Sequence, residues 1–513
     1  MKRIRRKEKE KQHPLMTYVL LCLVVVVISG ILSALDIQST FYTINSNNLN
    51  LIPKTEVVNS LFSLSGIKYI FTNTVSNFAN FTVLSNLIII LMGIGIMDKS
   101  GFLQTTITLS TKKLKKKTVT FIFTFLCVLA SLFGDLSYLV FIPLGALLFY
   151  YGKRNPAIGI ISSFASLSCG SALNIFFTSS DSTLLSYTTL AAQIVNKGYE
   201  ISNLAFFLIM LVTVLLISYV ITIVTENIIV RKLPKYEFEE SELEEDIVTK
   251  SEEKGMVYAC GGALVYLLIF AYNIIPGLPL SGALLDYSQV NYIDKLFSVD
   301  SFFSNGFVFI LTLLFIILGL FYGIGSKSIK NQKDFCDSLG HSLDGIGNVL
   351  VMILFASTFI SIFKQTNIGN TLVAVVGNII STSNFVGLPL VILIFILIAL
   401  TTLVVPSSSL KWYMLSSVVV PVMMDAGITP EFAQIVYRFA ETVTMNITPL
   451  LAYFIVYLAF LEKYNQGEQK VRLFESIKYQ WPYTLIIAFV LIVILVVWYI
   501  VGIPLGINSF PTI

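Results

Sequence analysis

From residue 13 onward the chain repeatedly runs 17 to 30 residues without a charged side chain. A hydrocarbon core about 30 Å thick takes roughly 20 helical residues at about 1.5 Å each, so each run is long enough for one membrane crossing. The runs are 13–35, 81–97, 201–225, 256–285, 302–326, 345–363 and 483–509. The composition agrees: 55% hydrophobic residues, 12% charged and a mean hydropathy of +0.81 exclude a soluble enzyme, a nucleic-acid binder and a secreted scaffold. The five cysteines, Cys22, Cys127, Cys169, Cys260 and Cys336, are an odd number lying mostly in apolar runs, and read as packing residues.

Four regions do not fit simple crossings. Residues 118–151 contain one charge, Asp135, at their middle, and bases flank both ends. Halved at Gly134-Asp135, the segment gives two arms of about 16 residues, near 24 Å and too short to span. This predicts a re-entrant helical hairpin. Residues 385–424 have the same form, with Pro406-Ser407-Ser408-Ser409 at the tip and Lys411 as the one charge. After each hairpin comes a helical stretch interrupted by polar residues, one around Gly170-Ser171-Ala172-Leu173-Asn174, the other around Thr444-Met445-Asn446-Ile447-Thr448-Pro449. Freed backbone at membrane depth survives only inside protein or beside a water-filled cavity. Pro143, Gly152, Pro156 and Phe164-Ala165 after the first tip recur as Pro421, Gly427, Pro430 and Phe439-Ala440 after the second. The order hairpin, then broken helix, is therefore an internal repeat.

The fold class expected is an all-α polytopic membrane protein with nine transmembrane helices and two re-entrant hairpins. That count places 27 of the 34 Lys and Arg in loops on one face and five on the other, leaving Lys411 and Arg438 within the membrane. The positive-inside rule then sets a cytoplasmic N-terminus, an external C-terminus and a multi-pass cell-membrane protein. Residues 1–12 form a basic cytoplasmic N-terminus, and 13–98 hold two spans with an external loop. The first repeat core is 118–196, the intervening spans are 201–363 with an acidic cytoplasmic loop at 236–254, the second core is 385–462, and the last span is 481–509. The hairpins fall on opposite faces, giving inverted repeats, the architecture of alternating-access secondary transporters with a midplane site.

Intramembrane ionisable residues cost at least about 2.5 to 3.5 kcal/mol on insertion scales, so each is a candidate for function. Here they are Asp135, Asp181, Lys411, Arg438 and Glu441. Arg438 and Glu441, at i and i+3, could form a structural pair, or Arg438 could hold a substrate carboxylate. Asp135 reads equally as a helix cap or solvated tip residue and as an ion ligand. Lys411 and Trp412 suit either a snorkelling lysine beside an interfacial tryptophan or an anion contact beside a ring-stacking face. Asn174, Asn446, Thr444, Thr448 and the tip serines, Ser408 among them, offer hard oxygens that suit Na⁺, or bond between helices instead. Na⁺ is expected at Asn174, Ser408 and Glu441, with Asp135, Asp181, Thr444 and Asn446 as further coupling residues. Pro449 serves as a binding residue or merely as a helix breaker. No Walker A loop, Cys/His cluster or Ser-His-Asp set occurs, so no ATP-driven, metalloenzyme or hydrolase chemistry is read.

Met92-Gly93-Ile94-Gly95-Ile96, Asp135 with Tyr138 and Ile142-Pro143-Leu144, Gly170 to Asn174 with Asp181, Asn367-Ile368-Gly369, Ser407 to Trp412 with Pro421, and Tyr437-Arg438 through Thr448-Pro449 occur in order along the chain. Together they resemble the AbgT family of p-aminobenzoyl-glutamate transporters from about Pro14 to the last helix. The resemblance implies a homodimer, Na⁺- or H⁺-linked movement of folate-breakdown fragments with no other cofactor, and in some members efflux of sulfonamide-type antimetabolites. It places binding roles on Asn174, Asp181, Trp412, Arg438 and Pro449. The chain departs from the family's pattern where Ala440-Glu441-Thr442 stands for Gly-Asp-Ser, Met445 for Asn, and Gly170-Ser171-Ala172-Leu173-Asn174 for Gly-aromatic-Ser-Ala-Asn. The expected function is cation-coupled transport of a small organic anion, with Arg438 on a carboxylate, Trp412 on a ring, and Asp181 with Glu441 on the coupling cation. The rivals are a Na⁺-driven dicarboxylate carrier of similar hairpin design and a polytopic membrane enzyme or scaffold. No nucleic-acid partner is expected.

Overall fold

The computed structural model describes residues 14–46, 48–238, 248–297, 301–467 and 471–513. The basic stretch 1–12 lies outside them, as do residues 239–247 of the acidic loop 236–254. Among the described residues, eight helical stretches are long and apolar enough to cross a membrane. They include α1 (Pro14–Ala34), α9 (Phe207–Val224, running on to Lys232), α10 (Lys250–Ile274), α11 (Phe302–Ser326), α13 (Gly347–Thr366) and α19 (Leu473–Val501).

Each apolar turn–apolar segment is two helices joined by a turn. The first pairs α5 (Lys116–Ala130) with α6 (Leu136–Tyr151), and the second pairs α15 (Leu388–Thr402) with α16 (Ser408–Asp425). Gly134 at the first turn has φ +57°, a backbone shape that glycine adopts without strain. The interrupted helices are α7 (Pro156–Cys169) with α8 (Ser179–Val195), and α17 (Pro430–Met445) with α18 (Phe454–Lys463). Both α7 and α17 open the same way. Asn155 accepts from the Ala157 N–H and Thr429 from the Phe432 N–H, with Pro156 and Pro430 following as first-turn prolines whose missing N–H costs nothing there. The recurring Pro143 and Pro421 sit inside α6 and α16, so the sequence rhyme is a rhyme of structure.

Burial separates the layers. Every residue of α17 is buried, whereas α10 buries only Gly255, Ala259 and Gly262. The interrupted helices thus form the protein's interior, and α10, α1 and α19 turn apolar faces outward, as helices in lipid do. Close backbone approach needs small residues, and α6 meets α7 at Gly145 and Gly159, where a Cβ on Gly159 would lie 2.0 Å from the Gly145 carbonyl oxygen.

Three features depart from the expected architecture. Residues 64–79, read as an external loop, form α2 (Leu64–Ala79) ahead of α3 (Thr82–Lys99). Its polar residues hid it, but Thr72, Asn73 and Thr74 return their side chains to the carbonyls of Lys68, Tyr69 and Ile70, so polarity does not break the helix. A short helix, α14 (Ile368–Ser381), occupies the stretch between α13 and the second hairpin. A two-stranded antiparallel hairpin, β1 (Gln38–Ile44) and β2 (Leu51–Val57), lies against α14 and α16, and the Ser417 hydroxyl donates to the Tyr42 carbonyl oxygen at 2.6 Å.

Gly159→Ala should therefore lower the melting temperature of the purified protein more than Gly134→Ala. The first forces two backbones apart, at about 1 to 3 kcal/mol, while the second adds strain in open space. Equal shifts would show that the α6–α7 contact is not tight.

Candidate functional site

The breaks and the hairpin turns converge on one cavity of about 2510 Å³. Its wall includes Asp135 from the first turn, Ser407, Ser408 and Ser409 from the second, Asn174 and Asp181 from the first break, and Arg438 and Glu441 from α17. Asn203, Gln289, Asn291, Lys364, Asn367 and Asn370 line it as well, all from segments at or beside loops that the basic-residue count places outside.

Two charge pairs anchor the wall. Arg438 Nη1 lies 2.6 Å from Asp181 Oδ1, with both side chains almost wholly buried. Asp181 is held from its own side: Thr178 and Asp181 form a capping box, in which Asp181 Oδ2 accepts the Thr178 N–H at 2.8 Å and Thr178 accepts the Asp181 N–H. One carboxylate therefore restarts the helix after the first break and fixes the guanidinium of α17. Asp181 meets the guanidinium at Nη1, and Arg438 Nε, on the other edge of the fork, has no hydrogen-bond partner among the described residues.

The second pair joins Lys411 to Glu441, with Nζ 3.5 Å from Oε2. Lys411 is completely buried; its Nζ also donates to Thr402 Oγ1 at 2.6 Å, and the Ser408 hydroxyl donates to Glu441 Oε1 at 2.8 Å. The Tyr437 hydroxyl donates to the Ser408 carbonyl oxygen at 2.5 Å, closing the second turn onto α17.

The i, i+3 pair between Arg438 and Glu441 is thus replaced by two pairs reaching other elements. Burial decides this, because neighbouring segments offer each charge a better-placed counter-charge. Lys411 does not snorkel, since its stem and head are both enclosed. Trp412 does not line the cavity. Its indole is wholly buried, packs tilted against Tyr437 at 4.4 Å between centroids and donates Nε1–H to Thr188 Oγ1 at 2.8 Å, and Thr188 in turn donates to Gln434 Oε1 at 2.6 Å. The expected ring-stacking face is used by the protein itself.

Asp135 faces the cavity and makes no helix cap; the Tyr453 hydroxyl bonds to its carboxylate. Asn174 donates to Ser131 Oγ at 3.2 Å, which binds the first break to the first turn. Thr444 and Thr448 donate to the carbonyls of Ala399 and Leu403 at 2.6 and 2.7 Å. Asn446 accepts from Thr484 and donates toward Gln480 on α19, away from the cavity wall. These three carry the interhelical bonding reading of break-region oxygens. Pro449 lies half-buried in the second break, off the cavity wall. Of the three residues expected to hold Na⁺, Ser408 and Glu441 meet, while Asn174 is engaged by Ser131.

Several contributors escaped the sequence reading. Tyr437 stood in a quoted fragment, and Gln434 lies one turn before Arg438, so helical spacing could have found both. Thr402, Thr188 and Gln480 carry no local signal, because their roles arise from distant segments.

A cavity bearing charged and polar side chains where interrupted helices meet, inside a shell of membrane-crossing helices, is the arrangement of a multi-span membrane transporter. The AbgT putative transporter family model matches residues 1–513, and the chain belongs to that family. It is 25% identical over 499 residues to the p-aminobenzoyl-glutamate transport protein of Escherichia coli K12, covering 97% of this chain and 94% of that protein. Two solved structures are also similar. One is the YdaH transporter of Alcanivorax borkumensis, with 26% identity, coverage of 96% and 100%, and a TM-score of 0.48. The other is MtrF of Neisseria gonorrhoeae, described with a class of antimetabolite efflux pumps, with 27% identity, coverage of 97% of each chain, and a TM-score of 0.47.

Removing one member of a buried pair leaves an uncompensated charge, at about 3 to 5 kcal/mol. Arg438→Ala and Asp181→Ala should each lower the melting temperature more than the double variant does. Arg438→Ala should couple more weakly to Glu441→Ala. The reverse ranking would restore the i, i+3 pair.

Proposed function

We propose that the chain is a cation-coupled secondary transporter of small organic anions, with p-aminobenzoyl-glutamate and related folate-breakdown fragments as substrates. The observation that carries this reading is Arg438. A guanidinium sits in the cavity wall, paired with Asp181 at Nη1, with Nε unpartnered among the described residues. A planar fork of this kind holds a carboxylate through two parallel hydrogen bonds, which a lysine cannot reproduce. The name of the Escherichia coli relative supports the choice of substrate. A ring would lie against Tyr453 or Phe177 in the wall rather than on Trp412. The protein works as a homodimer in the cell membrane, as the family resemblance implies, with its N-terminus inside, its C-terminus outside and the cavity open to the exterior.

Binding of p-aminobenzoyl-glutamate and of p-aminobenzamide, which lacks the glutamate carboxylates, tests the role of Arg438. Arg438→Lys should weaken the first ligand by about a hundredfold, the equivalent of about 3 kcal/mol, and the second far less. Equal losses would remove Arg438 from the ligand. The orientation is checked separately: in a cysteine-free background, cysteine at Ser381 should react with an impermeant thiol reagent from outside and cysteine at Ser251 should not. The opposite pattern would invert the topology.

A further inference from the structure

Two neighbouring helices carry outward-facing apolar stripes that end in bases at the same side of the protein. On α5, Ile122 and Leu126 are exposed at one-turn spacing, and two turns before Ile122 the chain reaches Lys115. On α9, Leu215, Tyr219 and Ile223 are exposed at the same spacing, and the helix runs on to an exposed Arg231 and Lys232. The two helices lie antiparallel and side by side. Thr124 Oγ1 is 2.9 Å from Thr222 Oγ1, the Phe121 and Tyr219 rings meet at 6.5 Å, and one turn further on Thr120 donates to Glu226. By helical spacing, one more turn brings Lys116 and Lys117 level with Val230 and Arg231.

The turn between α4 (Phe102–Thr111) and α5 holds Lys112, Lys113 and Lys115, and Lys116 and Lys117 open α5; all five side chains are exposed. None of the five, nor Arg231 or Lys232, makes an ion pair with a described acid. Glu226, the acid on the α5–α9 contact, is already taken by Arg154 at 2.7 Å and by Thr120. Leu114, set among the lysines, is exposed as well. None of these bases lines the cavity.

An apolar stripe facing lipid that gives way to unpaired bases marks the level of the headgroups, and an acidic headgroup carries the matching charge. We propose that this corner of the protein, the α4–α5 turn with the end of α9, binds the phosphates of acidic phospholipids. The acyl chains lie along Ile122, Leu126 and Tyr219, and the phosphate oxygens accept from the lysines and from the Arg231 guanidinium, whose fork matches phosphate geometry. Seven like charges repel a second copy of the same patch, and a zwitterionic headgroup brings its own cation and is held less well. Because α5 is the first arm of the first hairpin, the lipid anchors that arm where it leaves the membrane. The positive-inside rule also places bases in such a loop, but it concerns orientation during insertion and calls for no bound lipid. The two readings separate in detergent, where orientation no longer counts.

The test needs no substrate and so stands apart from the transport reading. Phosphatidylglycerol or phosphatidylcholine is added to the purified full chain in detergent micelles, and binding is read as the rise in melting temperature and as lipid adducts in native mass spectrometry. Phosphatidylglycerol should raise the melting temperature and persist as adducts, and phosphatidylcholine should do far less. The triple variant Lys115→Gln, Lys116→Gln, Lys117→Gln should melt like the wild type without lipid and bind phosphatidylglycerol at least about tenfold more weakly. Lys112→Gln with Lys113→Gln, outside α5, repeats the test without touching the helix start. A control that removes three exposed lysines from other loops, Lys250→Gln, Lys330→Gln, Lys333→Gln, should bind as the wild type does. Equal losses in the triple variant and the control mean that overall charge draws the lipid, and overturn the site; so does a wild type that responds equally to both lipids. Glycerol phosphate, the headgroup without acyl chains, should leave the melting temperature unchanged at the same concentration. A rise equal to that given by the lipid would assign these bases to a soluble anion and overturn the proposal.

Discussion

A charge inside a membrane has to bring its counter-charge with it, and this constraint organises the centre of the protein. Arg438 alone would be unaffordable at that depth; held at 2.6 Å by Asp181, it becomes a fixed part of the wall. The same pair solves a backbone problem. The first interrupted helix has to restart after residues 170–178, which border the cavity, and Asp181 closes that restart through its capping box with Thr178. Site and fold are held by one carboxylate, so neither could be altered without disturbing the other.

The two pairs differ in what they connect. Arg438–Asp181 ties α17 of the second repeat to α8 of the first, across the interior. Lys411–Glu441 and Ser408–Glu441 stay within the second repeat, drawing its hairpin turn onto its own interrupted helix. The first hairpin turn carries Asp135 but no basic partner; hydrogen bonds hold it, from Tyr453 to Asp135 and from Ser131 to the Gly170 carbonyl at 3.0 Å. Sequence symmetry between the repeats is therefore not electrostatic symmetry. The second hairpin is latched by ion pairing between side chains, the first by hydrogen bonds without a basic partner among the described residues.

Hydropathy made the architecture readable because lipid imposes it. Turn residues and the paired prolines placed both helix–turn–helix units and both breaks to within a few residues, while the apolar runs 256–285 and 483–509 overrun the C-terminal ends of the helices Lys250–Ile274 and Leu473–Val501. The misses were helices whose polarity mimics a loop, as at Asn73 and Asn77 in α2, and a strand pair with no alternating apolar pattern in Gln38–Ile44. Candidate residues were legible as types but not as partners. Every intramembrane charge was named from the sequence, yet the pairing of Arg438 with Asp181 rather than Glu441 depends on how two distant segments pack. Trp412 shows the limit in the other direction. An aromatic residue beside a tip looks like a ligand face, and only the packing reveals that Tyr437 and Thr188 already occupy it.

Near-neutrality of the site has a consequence for recognition. The two buried pairs cancel, and Asp135 and Lys364 in the same wall offset each other, so the cavity exerts little long-range pull on an anion, and discrimination has to come from contact. In the proposed binding mode a substrate carboxylate would meet a guanidinium whose Nη1 is already committed to Asp181, and would gain only what the remaining edge can give. Each charge-assisted bond then contributes on the order of 1.5 to 3 kcal/mol, less the repulsion from Asp181 nearby. That balance favours ligands with a planar carboxylate and with further contacts along the wall, and it disfavours small inorganic anions that offer charge alone. Modest affinity of this kind suits a transporter, because a site that bound its anion as tightly as an unpaired buried arginine would release it too slowly to complete a cycle.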